Sequence, residues 1–256
     1  FPRLVAAEHG PAGPMTRIES GITALDALLG GGIERGTSTL IVGAPGTGKS
    51  SLAVQFAVAA AARGERSALF IFDESVNTLV SRCEGLGMPL QQCIDAGLVH
   101  IRQVDPGEMS PGELVHHIRE AVAQNGAAVV LVDSLNGYLN AMPDERFLIV
   151  QLHELLTFLG HAGVATLLVG AQHGVIGTSM QSPVDASYLA DAVVLMRYYE
   201  AGGEVRQAIS VLKKRGGRHE RSIRSFTMDG GGLHVGEPLR QFHGVLTGVP
   251  VPRDTA

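Results

Sequence analysis

The sequence predicts an α/β fold, a mostly parallel sheet flanked by helices with antiparallel hairpin strands towards its C-terminal end. Three observations carry this expectation. Apolar, β-branched runs alternate with helix-forming stretches between residues 37 and 171. Two of those runs, Ala127–Val132 and Val164–Gly170, are almost continuously apolar, as strands buried on both faces are. Beyond Asp185 the runs Ala192–Tyr199, Arg206–Leu212 and Ile223–Met228 are separated by Gly-containing turns that leave no room for helices.

Each element has its own signal. Thr37–Gly43 is apolar and β-branched, hence a strand, and Ser50–Arg63 is Ala-rich with no breaker, hence a helix. Ser67–Phe72 reads as the second strand, followed by an acidic turn and a helix over Ser75–Leu86. Leu98–Gln103 is the third strand. Ser110–Gln124 opens Ser-Pro-Gly-Glu, in which a serine cap, a first-turn proline and a glutamate three residues on all favour helix initiation. Ala127–Val132 runs into Asp133, Asp144–His161 forms a long helix, and Val164–Gly170 is the fourth buried strand. Residues 1–15, rich in Pro, Gly and Ala, read as a linker, 16–249 as one domain and 250–256 as a tail. Because the chain opens on Phe1 rather than methionine, a portion of a longer protein is expected.

Composition bounds the function. With 256 residues, 45% of them hydrophobic, the chain can bury a large core. A net charge of −5 supplies no overall basic field for nucleic acid or an anionic membrane. The apolar runs are strand-length, well below the roughly 20 residues that cross a bilayer. No signal-peptide pattern is read, and Cys83 and Cys93 show neither metal nor redox spacing, so the expected location is the reducing cytoplasm.

The most specific signal is Gly43–Ser50, GAPGTGKS, a full match to G-x-x-x-x-G-K-[ST]. Its glycines let the backbone of Gly43, Ala44, Pro45, Gly46, Thr47 and Gly48 curl so that successive N–H groups converge on phosphate oxygens. The following helix adds the positive end of its dipole. Lys49 is expected to reach the β- and γ-phosphates and Ser50 to place its hydroxyl on Mg²⁺, with Ser51 beside them in the ATP-binding set. Lysine usage agrees: of 20 basic residues only Lys49, Lys213 and Lys214 are lysine, and one of them stands where a compact point charge is required.

Asp133 ends a buried strand, so its carboxylate should emerge at the sheet edge where ligands bind, in the position to hold Mg²⁺. Asp73 and Glu74 follow another strand at the same edge. One of them, with Glu74 preferred, is placed to polarise an attacking water or hydroxyl. The alternative is a solvated helix start capped by Ser75. The histidines His116, His117, His153 and His161 lack ligand spacing and read as ordinary helix residues. Gln172, at a strand end, is either a γ-phosphate sensor or a buried amide satisfying a turn.

Taken together, Ser20–Gly36 (SGITALDALLGGGIERG), GAPGTGKSSLA, FIFDES, VVLVDS and Leu212–Gly216 (LKKRG) resemble the KaiC family of RecA-like ATPases. The likeness runs from about Met15 to Val249 and is greatest to the second domain of two-domain KaiC-like bacterial proteins. It implies a RecA-like P-loop NTPase fold, ATP and Mg²⁺ as ligands, a hexameric ring with ATP held between neighbours, and a signalling or circadian-clock role with protein partners. It places the family's paired acidic residues on Asp73 and Glu74. Its K-x-R segment, which reaches a neighbour's nucleotide, falls on Lys213 and Arg215 with Lys214 between, and its base- and sugar-contacting positions fall on His219 and Asp229. On a strand Lys213 and Arg215 share one face and Lys214 takes the other. The family's Ser-Thr autophosphorylation pair corresponds to Ser187-Tyr188. Ser187 is therefore a phosphoacceptor candidate, whereas the longer Tyr188 phenol departs from the pattern. Three other readings compete: an ATP-gated signalling scaffold with little turnover, a RecA-like DNA recombinase, and a kinase acting on another protein. DNA binding is disfavoured because His173–Ser187 carries no Lys, Arg or aromatic residue.

Overall fold

The computed structural model describes residues 16–140, 145–171, 186–247 and 251–252. Two short strands, β1 (Arg17–Ile18) and β2 (Ile33–Glu34), pair antiparallel around helix α1 (Thr23–Leu28). The core then alternates as expected: β3 (Ser38–Gly43), α2 (Lys49–Ala62), β4 (Arg66–Ile71), α3 (Val76–Gly85), α4 (Leu90–Asp95) and β5 (Val99–Gln103). There follow α5 (Pro111–Ala123), β6 (Ala127–Asp133), α6 (Leu135–Asn140), α7 (Glu145–His161) and β7 (Ala165–Ala171). The C-terminal part contributes β8 (Ala192–Ala201), β9 (Glu204–Lys214), β10 (Arg224–Asp229) and β11 (Gly232–Pro238), with a small pair β12 (Phe242–His243) and β13 (Val251–Pro252).

One nine-stranded sheet runs β11-β10-β9-β8-β3-β7-β6-β4-β5. Side chains alternate through it. Leu40, Phe70, Val130, Val132 and Leu168 pack with α5, α6 and α7, whereas Ile41, Leu69, Ile71, Leu131 and Leu167 pack with α1 to α4. Each such buried apolar side chain contributes roughly 2 kcal/mol, so helices on both faces are what these apolar runs require. Eleven of the fourteen residues of α2 are buried, too many for a single stripe, so this Ala-rich helix is covered on more than one side. The start of α5 forms as read. Ser110 Oγ accepts from the Glu113 N–H at 3.3 Å, Glu113 Oε2 accepts from the Ser110 N–H at 2.8 Å, and Pro111 opens the helix.

The hairpin reading needs one correction. β8 pairs parallel with β3, and the antiparallel order begins only at β8/β9 and continues through β10 and β11. The helix α4, the helix α6 and the strand β11 were not among the expected elements. The two helices are six residues each, about a turn and a half, which is too short to display a 3.6-residue period. Among the described residues no helix is long and apolar enough to cross a membrane.

Candidate active site

The phosphate loop is suspended between β3 and α2, and glycine is required at two of its points. A Cβ on Gly43 would lie 2.2 Å from the Met196 carbonyl oxygen on β8. Gly48 has φ +93°, and its Cβ would fall 2.5 Å from Met228 Sδ. Gln207 on β9 donates through Nε2 to the Gly46 carbonyl at 3.3 Å, so the antiparallel extension braces the loop from outside. Within the loop, Lys49 Nζ and Thr47 Oγ1 each donate to the Ala44 carbonyl at 2.8 Å. Lys49 is only 7% exposed, and burial lowers its pKa against the opposing pull of Asp133.

Strand β7 lies between β3 and β6, so Asp133 stands one strand away from the loop at the carboxyl edge of the sheet. It is 8% exposed and accepts a hydrogen bond from the Ser50 hydroxyl. Burial raises its pKa, with Ser50 opposing. Next in the sheet is β4, whose Ile71 pairs with Asp133, and the Phe72 N–H donates to the Asp133 carbonyl at 2.7 Å. That register delivers Asp73 and Glu74 to the same mouth. Lys49, Ser50, Asp73, Glu74, Arg82 and Asp133 line one cleft of about 300 Å³. Ser75 also caps α3, accepting from the Thr78 N–H at 3.2 Å, so the helix-start reading holds alongside the placement of the two carboxylates in the cleft.

Two residues in this cleft, Ser134 and Arg82, lie outside the expected site residues. Ser134 donates to Asp73 Oδ2 at 2.6 Å and accepts from the Gly137 N–H at 3.2 Å, which ties the end of β4 to the start of α6. Arg82, two turns into α3, places Nη2 2.5 Å from Glu74 Oε1. Its position seven residues after the cap returns it to the capped face of the helix, which is a signal that only a fixed helix start makes readable.

A hard divalent cation fits the donor set here, since the Ser50 hydroxyl and the Asp133 carboxylate are both oxygen donors and already touch. Among the described residues no group of three or more His, Cys, Asp or Glu side chains could hold a metal unaided. A cation held by these two would complete its shell with phosphate oxygens and water, the mode suited to Mg²⁺.

The second set of expected residues lies elsewhere. Ala192 pairs with both Thr39 and Lys214, which puts Lys213, Lys214 and Arg215 level with the start of β3. Gly43 is four residues further along, about 13 Å at strand rise. Lys213 Nζ donates to the Ser187 and Ala190 carbonyls, each at 2.9 Å, and Arg215 Nη2 donates to the Tyr188 carbonyl at 2.6 Å. Ser187, in a 3₁₀ turn over Ala186–Tyr188, therefore shares this far edge with Lys213 and Arg215. Lys214 turns the other way, donating to the Leu29 carbonyl at 2.6 Å and standing 3.5 Å from Glu34 Oε1. His219 lies beside Gly30 at this edge, whereas Asp229 sits at the β10–β11 turn, accepting from the Gly231 N–H at 2.7 Å and lying 3.1 Å from His234 Nε2. Gln172 and most of the His173–Ser187 stretch lie outside the described residues.

The buried Lys214–Glu34 pair makes a stability prediction. Side-chain exposures are 5% and 3%, and Glu34 has Arg17 as a further partner at 3.6 Å. Lys214→Met should lower unfolding free energy by about 3 kcal/mol in a denaturant titration, because it strands a buried carboxylate. A change below about 1 kcal/mol would show that Arg17 alone satisfies Glu34.

A mostly parallel sheet with a GxxxxGKS loop at its carboxyl edge, an acidic residue ending a buried strand at that same edge and helices on both faces defines a RecA-like P-loop NTPase. The sequence model of the KaiC ATPase family matches residues 18–240. Circadian clock protein KaiC3 of Synechocystis sp. is 30% identical over 237 residues, covering 92% of this chain and 46% of that protein. Circadian clock oscillator protein KaiC of Thermostichus vulcanus is 26% identical over 234 residues, and that of Synechococcus elongatus 27% over 237, each covering 91% of this chain and 45% of the relative. The chain belongs to the KaiC family of ATPases. It spans about half the length of these curated relatives.

Proposed function

We propose that residues 16–249 form one domain that binds ATP with Mg²⁺ and hydrolyses it at the boundary between neighbouring copies of a KaiC-like ring, hexameric as the family resemblance implies. The observation that carries this reading is the separation of two chemically complementary sets on one sheet. Lys49, Ser50, Asp133, Asp73 and Glu74 meet in a cleft at the carboxyl edge, while Lys213, Arg215 and Ser187 gather at the amino edge. A protomer's own basic arm is thus out of reach of its own cleft, and a neighbour's arm is the natural supplier of charge.

In this reading the loop amides and Lys49 hold the phosphates, with Ser51 next to the loop serine. Ser50 and Asp133 hold Mg²⁺, which when bound neutralises charge on the phosphates. Glu74, with Asp73 beside it, takes the proton of the attacking oxygen. Lys213 and Arg215 from the neighbour stabilise charge building on the transferred phosphoryl group. Lys214 holds their strand to Glu34, and His219 and Asp229 face the base and sugar. Where the attacking oxygen is the Ser187 hydroxyl rather than water, the outcome is a phosphoserine. The clock names of the relatives support a signalling or timing role, to which the reading adds protein partners and a cytoplasmic setting.

Mixing two inactive variants tests the shared site. Lys49→Ala spoils the cleft and Arg215→Ala the arm. A one-to-one mixture should regain about a quarter of wild-type turnover, since random assembly restores that share of interfaces. Mass spectrometry of the same mixture should find phosphate on Ser187. A mixture as silent as its components rules out sharing between copies, and an unmodified Ser187 in an actively turning-over mixture removes the autokinase.

A further inference from the structure

Arg82 stands apart from the residues that the loop motif or the acidic pair would nominate. It is the basic residue other than Lys49 lining the cleft, so it shares a surface with Ser50, Glu74 and Asp133. Its guanidinium uses Nη2 on Glu74 at 2.5 Å, while its Nε is buried without a hydrogen-bond partner among the described residues. The side chain is 35% exposed, which leaves its head free to change partner.

These facts describe an arginine only partly satisfied by the carboxylate it holds. A single Glu74 oxygen engages one end of a five-donor fork. The terminal phosphoryl group of a bound nucleoside triphosphate would offer three oxygens and more negative charge in the same cleft, and planar guanidinium matches such an array bidentately. Glu74 is also the group the proposed reaction needs, and a guanidinium held at 2.5 Å occupies one of its two oxygens and draws on the charge that would receive the proton. Departure of Arg82 would bare that oxygen when a third phosphate has arrived to be cleaved.

We infer that Arg82 is a cis-acting sensor of the terminal phosphate, paired with Glu74 in the absence of a triphosphate and transferred to the γ-phosphate in its presence, so that the base is released only in the loaded cleft. The inference rests on the cleft being the ATP site proposed above. It makes Arg82 a residue that distinguishes triphosphate from diphosphate, with a second effect on turnover through Glu74.

Calorimetry with Mg²⁺ on the whole chain tests it, with ADP and a non-hydrolysable ATP analogue as ligands. Wild type should bind both. Arg82→Gln should lose about 10- to 100-fold in affinity for the triphosphate, the worth of charge-assisted hydrogen bonds, with ADP changed less than about twofold. Arg82→Lys, which keeps a cation beside Glu74 but not the fork, should fall between and guards against a misfolded glutamine variant. The selective loss should persist when Glu74→Gln is added. Equal losses for the two nucleotides, or a loss that vanishes in the Glu74→Gln background, would overturn the sensor and leave Arg82 as a structural partner of Glu74. Wild type binding neither nucleotide would instead defeat the ATP-site reading itself, and the sensor with it.

Discussion

Lys49→Ala is expected to remove nucleotide binding, with a loss on the order of 100-fold or more in the association constant for ATP measured calorimetrically with magnesium. Lys49 is buried at the first position of α2, its ammonium held to the Ala44 carbonyl inside the loop. Burial lowers its pKa, so its desolvation has already been met in the empty protein. A phosphate arriving there is neutralised without further rearrangement. Alanine leaves the incoming charge facing loop amides alone, close to the buried Asp133 carboxylate. Truncating one member of a buried, hydrogen-bonded charge pair costs about 2 to 5 kcal/mol, which corresponds to the expected range. Tight ATP binding by a folded Lys49→Ala protein would show that the phosphates are gripped somewhere other than Gly43–Ser50.

Glu74→Gln is expected to separate binding from chemistry. Affinity for ATP should stay within a few-fold of wild type, while turnover falls by about 10²- to 10⁴-fold, the usual worth of a positioned base. The side chain keeps its shape and can still accept from Arg82, so the cleft stays assembled. A pH profile sharpens the test. Burial raises the Glu74 pKa; Arg82 opposes, and Asp133 and Asp73 add to the rise. A base acts when ionised, so kcat/KM of wild type should climb with pH through a limb above the ordinary glutamate range, and that limb should be missing from the glutamine variant. Should Glu74→Gln hydrolyse ATP at the wild-type rate, the proton goes elsewhere, with Asp73 the next carboxylate in the cleft.

Much of this arrangement can be read directly from local sequence. The four central strands β3, β4, β6 and β7 are apolar on both faces because helices cover both, and such runs need no partner to be recognised. Helix α5 announces its start through Ser110, Pro111 and Glu113, all within one turn. The phosphate loop is legible because its chemistry is carried by backbone, and backbone that bends in this way demands glycine at fixed spacing. What escaped local reading depends on contacts distant in sequence. The parallel pairing of β8 with β3 joins residues over 150 positions apart, and nothing within Ala192–Ala201 encodes its direction. Ser134 enters the cleft only after β4 and β6 are set side by side, which brings it to Asp73, whereas Arg82 reaches Glu74 across the turn into α3 once Ser75 fixes where that helix starts. Lys214 illustrates the converse: strand alternation separates it from Lys213 and Arg215, yet only the folded chain reveals Glu34 as its neighbour.

The spacing of cleft and basic arm at opposite ends of the sheet has an arithmetical consequence for assembly. In the ring proposed above, contacts that join one end of a molecule to the other end of the next would be heterologous, so an open row of n copies would leave one terminal cleft without its basic arm. Only closure on itself completes every centre, and the row gains its last one at the moment of closing. Hydrolysis per subunit would then drop by one centre when the circle opens, and dilution to single copies would silence it with no molecule lost.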